Sequence, residues 1–169
     1  IIFTALNHSP MGYSVAASIG AFLGNNKKNI ISIIGDGSMP MNIQELETIR
    51  NNNINVKIFV INNSGYGLIK QTQETWLKSR YAGVDNSSGL SLPNNLKISE
   101  AYGIKSISLK NNKEMIKKLK SILKIKGPLL IDLNINPKTR VSPKIEFGNP
   151  LHDMSPKISR NELKNILKN

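Results

Sequence analysis

A chain of 169 residues with 39% hydrophobic residues is long enough for one domain with a real core. It contains no cysteine, which excludes disulfides, thiolate catalysis and cysteine-ligated metal centres. No apolar run approaches the ~20 residues of a membrane span, and no basic segment of the signal-peptide type opens the chain, so a cytoplasmic enzyme is expected.

The formal net charge of +12 raises the question of nucleic-acid binding. The positive charge is mostly lysine scattered through the second half, and aromatic residues make up only 5% of the chain. Nucleic-acid binders more often cluster arginine and interleave aromatic residues for stacking. The pattern therefore favours a solvated lysine-rich surface and predicts no nucleic-acid partner and no membrane partner.

Strand-like and helix-like segments alternate along the chain. The predicted strands are Ile1–Ala5, Ile30–Ile34, Val56–Ile61, Ile104–Leu109 and Leu129–Ile135. The predicted helices are Gly12–Leu23, Ile43–Arg50, Leu68–Leu77, Leu96–Tyr102 and Lys113–Ile125, the last with Met115, Ile116, Leu119, Ile122 and Leu123 facing inward. This order predicts an α/β fold, an open and mostly parallel sheet flanked by helices on both faces. Ligands of such sheets bind beyond the carboxyl ends of the strands.

The composition changes near residue 136, which divides the chain into a predicted domain, 1–136, and a C-terminal arm, 137–169. Four prolines, Pro137, Pro143, Pro150 and Pro156, favour an extended arm. A short helix at Arg160–Leu167 is expected to close it. The chain opens in an apolar, strand-like run without methionine, which predicts that it is a fragment or domain of a longer protein, or a processed product.

Two polar groups follow predicted strands directly. Asp36 comes after Ile30–Ile34, and the pair Asn62-Asn63 comes after the strand that begins at Val56. A carboxylate and an amide oxygen at two strand ends can hold a hard cation such as Mg²⁺, which takes one or two protein carboxylates and fills its other positions with phosphate and water. The backbone carbonyl of Gly65 can add a third oxygen.

The residues around Asp36 favour a phosphate ligand. Gly35, Gly37 and Ser38 form a tight strand-to-helix turn, in which glycine lets backbone N–H groups approach an anion closely. Ser38 could equally be a helix N-cap. Together the two motifs predict a cation that holds a diphosphate.

The segment Gly35-Asp36-Gly37-Ser38-Met39-Pro40-Met41-Asn42, continued by Ile43-Gln44-Glu45-Leu46-Glu47-Thr48, resembles the signature of thiamine diphosphate (ThDP) enzymes. The residues from Val56 to Asn63, the run Gly67-Leu68-Ile69-Lys70-Gln71, and Met11-Gly12-Tyr13 ahead of the signature extend the likeness. Nearly the whole chain is similar to the C-terminal, diphosphate-binding domain of acetolactate synthase-like members of that family.

The resemblance implies roles for individual residues. Asp36, Asn63 and the carbonyl of Gly65 would ligate Mg²⁺. Met11 matches the bulky residue that supports the bent form of ThDP, and it is the catalytic residue that the likeness implies. The implied cofactor-binding set is Gly35, Asp36, Gly37, Ser38, Met11, Asn63, Gly65, Tyr66 and Gly67.

The resemblance also implies partners. The substrate would be a 2-ketoacid such as pyruvate, in a carboligase or decarboxylase reaction. The catalytic glutamate lies in a separate pyrimidine-binding domain, expected from another subunit of a homo-oligomer, so the isolated chain is expected to be inactive.

Enzymes of this family that make branched-chain amino-acid precursors carry tryptophan at the position of Thr72, and this chain looks more like synthase-like proteins of surface-polysaccharide gene clusters. Two alternatives stay open. One is the small subunit of a two-subunit ThDP-dependent 2-ketoacid decarboxylase. The other is a non-catalytic module that kept the ThDP-binding fold.

Overall fold

The computed structural model describes residues 2–5, 8–26, 28–145, 148–150 and 152–168. The chain divides into two compact units, Ile1–Lys138 and Thr139–Asn169. The helices of the first unit are α1 (Tyr13–Gly24), α2 (Glu45–Asn51), α3 (Gly67–Trp76), α4 (Asn95–Ala101) and α5 (Asn112–Lys124). Its strands are β1 (Ile30–Gly35), β2 (Val56–Asn62), β3 (Lys105–Leu109) and β4 (Leu129–Asn134). Short 3-10 helices lie at Met39–Asn42 and Asn86–Ser88.

The four strands form one parallel sheet in the order β1-β2-β4-β3. The predicted parallel sheet is therefore confirmed, and the helices and strands of this unit begin and end close to the predicted bounds. The predicted strand Ile1–Ala5 is wrong for residues 2–5, which have no regular structure, while Ile1 lies outside the described residues. Residues 2–5 pair with none of the described strands, and without a neighbouring strand their apolar composition is not enough to form one.

Both faces of the sheet carry apolar side chains because alternate residues of β2 point to opposite sides. On one face, Val56, Ile58 and Val60 pack with residues of α1, α2 and α4. On the other face, Phe59 packs with residues of β4 and with Ile122 of α5. The prediction that helices cover both faces is confirmed.

Two apolar side chains on that side of the sheet are exposed. Ile116 was expected to face inward but is 73% exposed, because Met115, Leu119 and Ile122 form the stripe that meets the sheet and Ile116 lies about 100° around the helix from Met115. On the edge strand β1, Ile33 is 63% exposed, since α5 packs on the β3 side of the sheet.

The second unit contains a two-residue antiparallel pair, β5 (Lys144–Ile145) with β6 (Met154–Ser155), and the helix α6 (Arg160–Ile166). Ser159 caps α6 by accepting a hydrogen bond from the N–H of Glu162 at 3.2 Å. Arg160 forms an ion pair with Asp153 at 3.0 Å. Strands of two residues leave no periodicity in a sequence, so this pair was not predicted.

No helix in the described part of the chain is long and apolar enough to cross a membrane. The parallel arrangement brings the carboxyl ends of β1, β2 and β4 to the same edge of the sheet. Asp36 and Asn63 follow β1 and β2 there, and Asp132 lies near the end of β4.

Candidate functional site

Asp36 follows the last residue of β1, and its carboxylate is buried, with the residue only 4% exposed. Its backbone N–H donates to Ile61 O at 3.1 Å, so the β1–β2 ladder holds the residue in place. The carboxylate accepts hydrogen bonds at both oxygens, from Gly37 N to Oδ1 at 2.8 Å and from Gly65 N to Oδ2 at 3.1 Å. The turn after β1 and the loop after β2 therefore meet on one carboxylate.

Three oxygen atoms converge beside this carboxylate. Oδ1 of Asn63 faces the carbonyl oxygen of Gly65 and Oδ1 of Asp36, both of which are acceptors. If the carboxamide turns over, its nitrogen donates to Gly65 O at 2.6 Å and to Asp36 Oδ1 at 3.1 Å. Adjacent ligands of an octahedral Mg²⁺ ion lie about 3 Å apart, given Mg–O distances of about 2.1 Å. The oxygen-inward orientation is thus the one that a bound cation would stabilise.

The electrostatic state of Asp36 also fits a cation. Burial raises the pKa of this carboxyl, and hydrogen bonds from backbone N–H groups, those of Gly37 and Gly65 foremost, partly oppose the rise. Among the described residues no lysine or arginine forms an ion pair with Asp36. A divalent cation would supply the missing positive charge.

The donor set narrows the kind of metal. The described residues include no cluster of three or more His, Cys, Asp or Glu side chains. One carboxylate, one carboxamide oxygen and one carbonyl make a hard, oxygen-only set with low charge, which suits Mg²⁺ bound together with phosphate oxygens better than zinc or a redox metal.

Glycine is required at two positions of the site because side chains of the site fill the space beside them. A Cβ on Gly37 would lie 2.3 Å from two ring carbons of Tyr66, whose ring lies against the turn. A Cβ on Gly67 would lie 2.3 Å from Asn63 Nδ2. Gly67 thus leaves room for the amide half of Asn63 while its oxygen faces Asp36.

Ser38 links the turn to the segment before α1. It occupies the N-cap position of the following 3-10 helix, but its side chain makes no capping hydrogen bond there. Its Oγ instead accepts a hydrogen bond from Gly12 N at 2.7 Å. Gly12 has a φ of 85°, a conformation that favours glycine, and it places Met11 next to this link with 43% of its surface exposed.

These features match a known family. Residues 2–133 fit the family model described as the C-terminal TPP binding domain of thiamine pyrophosphate enzymes, TPP being another name for ThDP. The chain belongs to this family.

Similar proteins of this family are acetolactate synthases. The large subunit from Cyanidium caldarium is 37% identical over 82% of this chain and 23% of its own length. The mitochondrial enzyme of Schizosaccharomyces pombe is 34% identical over 84% of this chain and 21% of its own length. This chain therefore spans less than a quarter of the length of these relatives. The predicted resemblance to acetolactate synthase-like ThDP enzymes is confirmed.

A solved structure shares the fold. The ThDP-dependent 4-hydroxybenzoylformate decarboxylase of Rhodococcus jostii superposes with a TM-score of 0.65 at 26% identity, covering 75% of this chain and 23% of that one. Together with the family match, it confirms the predicted cofactor class, ThDP with a divalent metal.

In this ThDP-binding domain, the residues predicted for the cofactor lie in three adjoining segments. Asp36, Asn63, Gly65 and Gly37 are joined by the contacts given above. Gly35 is the last residue of β1, and its carbonyl accepts from Ser38 N at 3.0 Å. Met11 adjoins the site through Gly12, but no contact of its side chain bears on its predicted role. The individual roles remain predictions.

Sequence reasoning missed the loop that supports Gly65. Tyr66 N donates to Val84 O at 2.9 Å, and Gly65 forms an antiparallel bridge with Asp85. Asp85 forms an ion pair with Lys70 at 2.5 Å and caps the Asn86–Ser88 turn. Nothing in the Gly, Ser and Asn composition of this loop distinguished Asp85, although an aspartate three residues before Ser88 is a capping pattern that could have indicated it.

A polar cavity of about 360 Å³ opens beside Asp36, on the side where the loop after residue 85 returns to the sheet. Its lining consists of Asp36, Asn62, Ser64, Asn86, Leu90, Ser91, Leu92, Pro93 and Asn95. Neither Lys nor Arg is among them, so this cavity offers no cationic side chain to an anion.

Proposed function

We propose that this chain supplies the Mg²⁺- and diphosphate-binding half of the active site of a ThDP-dependent 2-ketoacid carboligase or decarboxylase, and that it is part of a longer, acetolactate synthase-like enzyme. The observation that supports the proposal most directly is the convergence of the Asn63 carboxamide, Gly65 O and Asp36 Oδ1. When bound, ThDP supplies the carbanion chemistry for decarboxylation and carbon–carbon bond formation.

The residues of this chain would do three things. Asp36, Asn63 and Gly65 would hold the cation through three oxygens. Backbone groups of the turn at Gly37 and Ser38 would contact the diphosphate. The contact from Gly12 N to Ser38 would hold Met11 at a fixed place beside the cofactor.

Another surface is needed to complete the site. Helix α3 begins directly after residues 63–66, which we call the cation loop, and contains no buried residue. Leu68 is 66% exposed and Trp76 is 60% exposed. These exposed apolar side chains on α3, whose first turn adjoins the proposed cation site, support the proposal that a pyrimidine-binding domain of another subunit covers α3 and supplies the catalytic glutamate. The homo-oligomer, the 2-ketoacid such as pyruvate and the cytoplasmic location belong to the same proposal, as does a ThDP-binding domain over 1–136 with an arm over 137–169.

The test uses the full-length protein. Calorimetric titration with ThDP should show binding that requires Mg²⁺, and incubation with pyruvate should release CO₂. Binding that is unaffected by a chelator, or absent, would contradict the proposal. The 169-residue chain alone should release no CO₂ from pyruvate.

A simple decarboxylase is the second candidate, supported by the likeness to the decarboxylase of R. jostii. Product analysis distinguishes the two, because a carboligase yields a 2-hydroxy ketone or acetohydroxy acid whereas a decarboxylase yields only an aldehyde and CO₂. ThDP binding with no turnover of any 2-ketoacid in a panel would instead favour a non-catalytic module.

A further inference from the structure

Asp132 is a buried carboxylate that the proposed cation site does not use. It lies on β4 opposite Val60 of β2, and the residue is only 6% exposed. It follows the apolar residues Leu129–Ile131, in a strand where a charged side chain is costly unless it is hydrogen-bonded. A buried carboxylate in such a strand is therefore expected to have a structural or functional role.

Three asparagine side chains surround this carboxylate. Asn62 Nδ2 donates to both oxygens of Asp132, at 3.0 and 3.1 Å. Asn95 Nδ2, at the start of α4, donates to Oδ1 at 2.9 Å. Asn134 Nδ2 makes a longer contact of 3.4 Å with Oδ2. In the described part of the chain, no ion pair of Asp132 accompanies these amides.

Asn62 connects this carboxylate to the cation loop. While its Nδ2 donates to Asp132, its Oδ1 accepts a hydrogen bond from the N–H of Ser64 at 3.2 Å. Its backbone carbonyl accepts from Ile135 N at 2.9 Å. Asn62 is therefore held by Asp132 of β4 and by Ile135, which directly follows β4, and it holds the loop in turn.

Ser64 is the residue between the two loop ligands of the proposed cation. Its φ of 61° is a conformation that non-glycine residues seldom adopt, and it turns the chain so that Asn63 and Gly65 both face Asp36. The hydrogen bond from Ser64 N to Asn62 stabilises this turn. A loop that is fixed in its binding conformation loses less entropy when the cation binds.

We propose that Asp132 is a positioning residue for the cation site, which acts through Asn62 to hold the Ser64 turn and thereby the oxygens of Asn63 and Gly65. This inference rests on the proposed function. Asp132 touches neither the cation nor the cofactor in this scheme. Its effect is on the affinity for Mg²⁺, and outer partners of metal ligands commonly change that affinity by about 10–100-fold.

Asn95 provides a matched control. It donates to the same carboxylate and lies on α4, where it is buried at 5% exposed, whereas Asn62 is half-buried. Among the described residues, no side-chain hydrogen bond joins Asn95 to residues 63–66. If Asp132 only stabilises the fold, the variants Asn62→Ala and Asn95→Ala should behave alike. If Asp132 positions the loop, only Asn62→Ala should weaken Mg²⁺ binding.

The experiment measures the Kd for Mg²⁺ by calorimetry at saturating ThDP, on the full-length protein and four variants, with Tm recorded for each. We expect Asn62→Ala and the isosteric Asp132→Asn to raise the Kd about tenfold or more. Asn95→Ala should keep the Kd for Mg²⁺ within about twofold of the wild-type value, even if its Tm falls as much as that of Asn62→Ala. The double variant Asn62→Ala/Asp132→Asn should lose no more affinity than the weaker-binding single variant, because both changes break one chain of contacts.

Three results would overturn the inference. They are an unchanged Kd in folded Asn62→Ala, an Asn95→Ala variant that loses as much affinity as Asn62→Ala, and additive losses in the double variant. If Asp132→Asn fails to fold, Asn62→Ala and Asn95→Ala still test whether the Asn62 contacts hold the loop, and an unchanged Kd in Asn62→Ala still overturns the inference. A wild-type protein that shows no Mg²⁺-dependent ThDP binding would overturn the proposed function and this inference with it, whereas a binding wild type with unaffected variants overturns the inference alone.

Discussion

Gly67 offers a sharp test of the oxygen arrangement at the cation site, through the substitution Gly67→Ala. The new Cβ would lie 2.3 Å from Asn63 Nδ2, so the carboxamide must move by about 0.7 Å to reach even the 3.0 Å limit that real Cβ atoms respect. Metal–ligand distances tolerate only about 0.2 Å. We expect the Kd for Mg²⁺ to rise about 10–100-fold, which corresponds to about 1.4–2.7 kcal/mol.

The substitution Gly67→Ala should not destabilise α3, which begins at this residue. Gly67 is the first residue of α3 and its φ is not in the left-handed region, so alanine is compatible with its backbone. Alanine favours helices over glycine by up to about 1 kcal/mol. A loss of Mg²⁺ affinity would therefore reflect displacement of Asn63 rather than loss of α3.

The assay is calorimetric titration of the full-length protein with Mg²⁺ at saturating ThDP, with circular dichroism to check folding. Gly20→Ala is the matched control, because Gly20 lies in α1 and a Cβ there would meet nothing within 4 Å. The control should bind Mg²⁺ as the wild type does. A Gly67→Ala variant that also binds within about twofold of wild type would refute the assignment of Asn63 as a ligand.

Three further predictions concern the carboxylate, the core and a buried lysine. Asp36→Asn should abolish Mg²⁺-dependent ThDP binding in calorimetry, and retained binding would argue against Asp36 as the anionic ligand. Ile58→Ala, at a fully buried position of the central strand β2, should lower the free energy of unfolding in urea by about 2–5 kcal/mol, whereas Ile116→Ala on the exposed side of α5 should change it by less than about 0.5 kcal/mol. Burial lowers the pKa of Lys57, so the folded protein binds fewer protons than the unfolded chain between that lowered pKa and the ordinary 10.5. The free energy of unfolding of the wild type should therefore rise relative to that of the Lys57→Met variant as the pH rises from about 7 to about 10. A difference between the two proteins that is constant with pH would show that Lys57 keeps its ordinary pKa.

The sheet and its helices could be predicted because each element carries its own signal. The apolar β-rich runs at Ile30 and Val56 predict parallel strands, although Ile31 and Ile33 of β1 are exposed on one face. The spacing of Met115, Leu119 and Ile122 predicts the inner face of α5. The run at Ile1–Ala5 carries the same local signal, yet residues 2–5 form no strand, because strand formation also requires a partner that local composition does not reveal.

The proposed cation site could be predicted only in part. Asp36 and Asn63 stand directly after strands, where a polar side chain is conspicuous. The contribution of Asp132 could not be read in the same way, since it depends on the strand order that places β4 beside β2. A lone carboxylate after Leu129–Ile131 is nonetheless a signal that a hydrogen-bonded network lies nearby.

Helix α3 is held by polar contacts and contributes no buried residue, unlike the other α-helices of the first unit. Lys70 pairs with Asp85, and Gln73 exchanges hydrogen bonds with the backbone of Ala82 at 3.0 and 3.1 Å. Thr72 is exposed, and its hydroxyl donates a hydrogen bond to Leu68 O at 3.0 Å. Helix α3 therefore draws little of its stability from the core of its own unit. Its backbone is expected to open locally more readily than the helices that pack on the sheet.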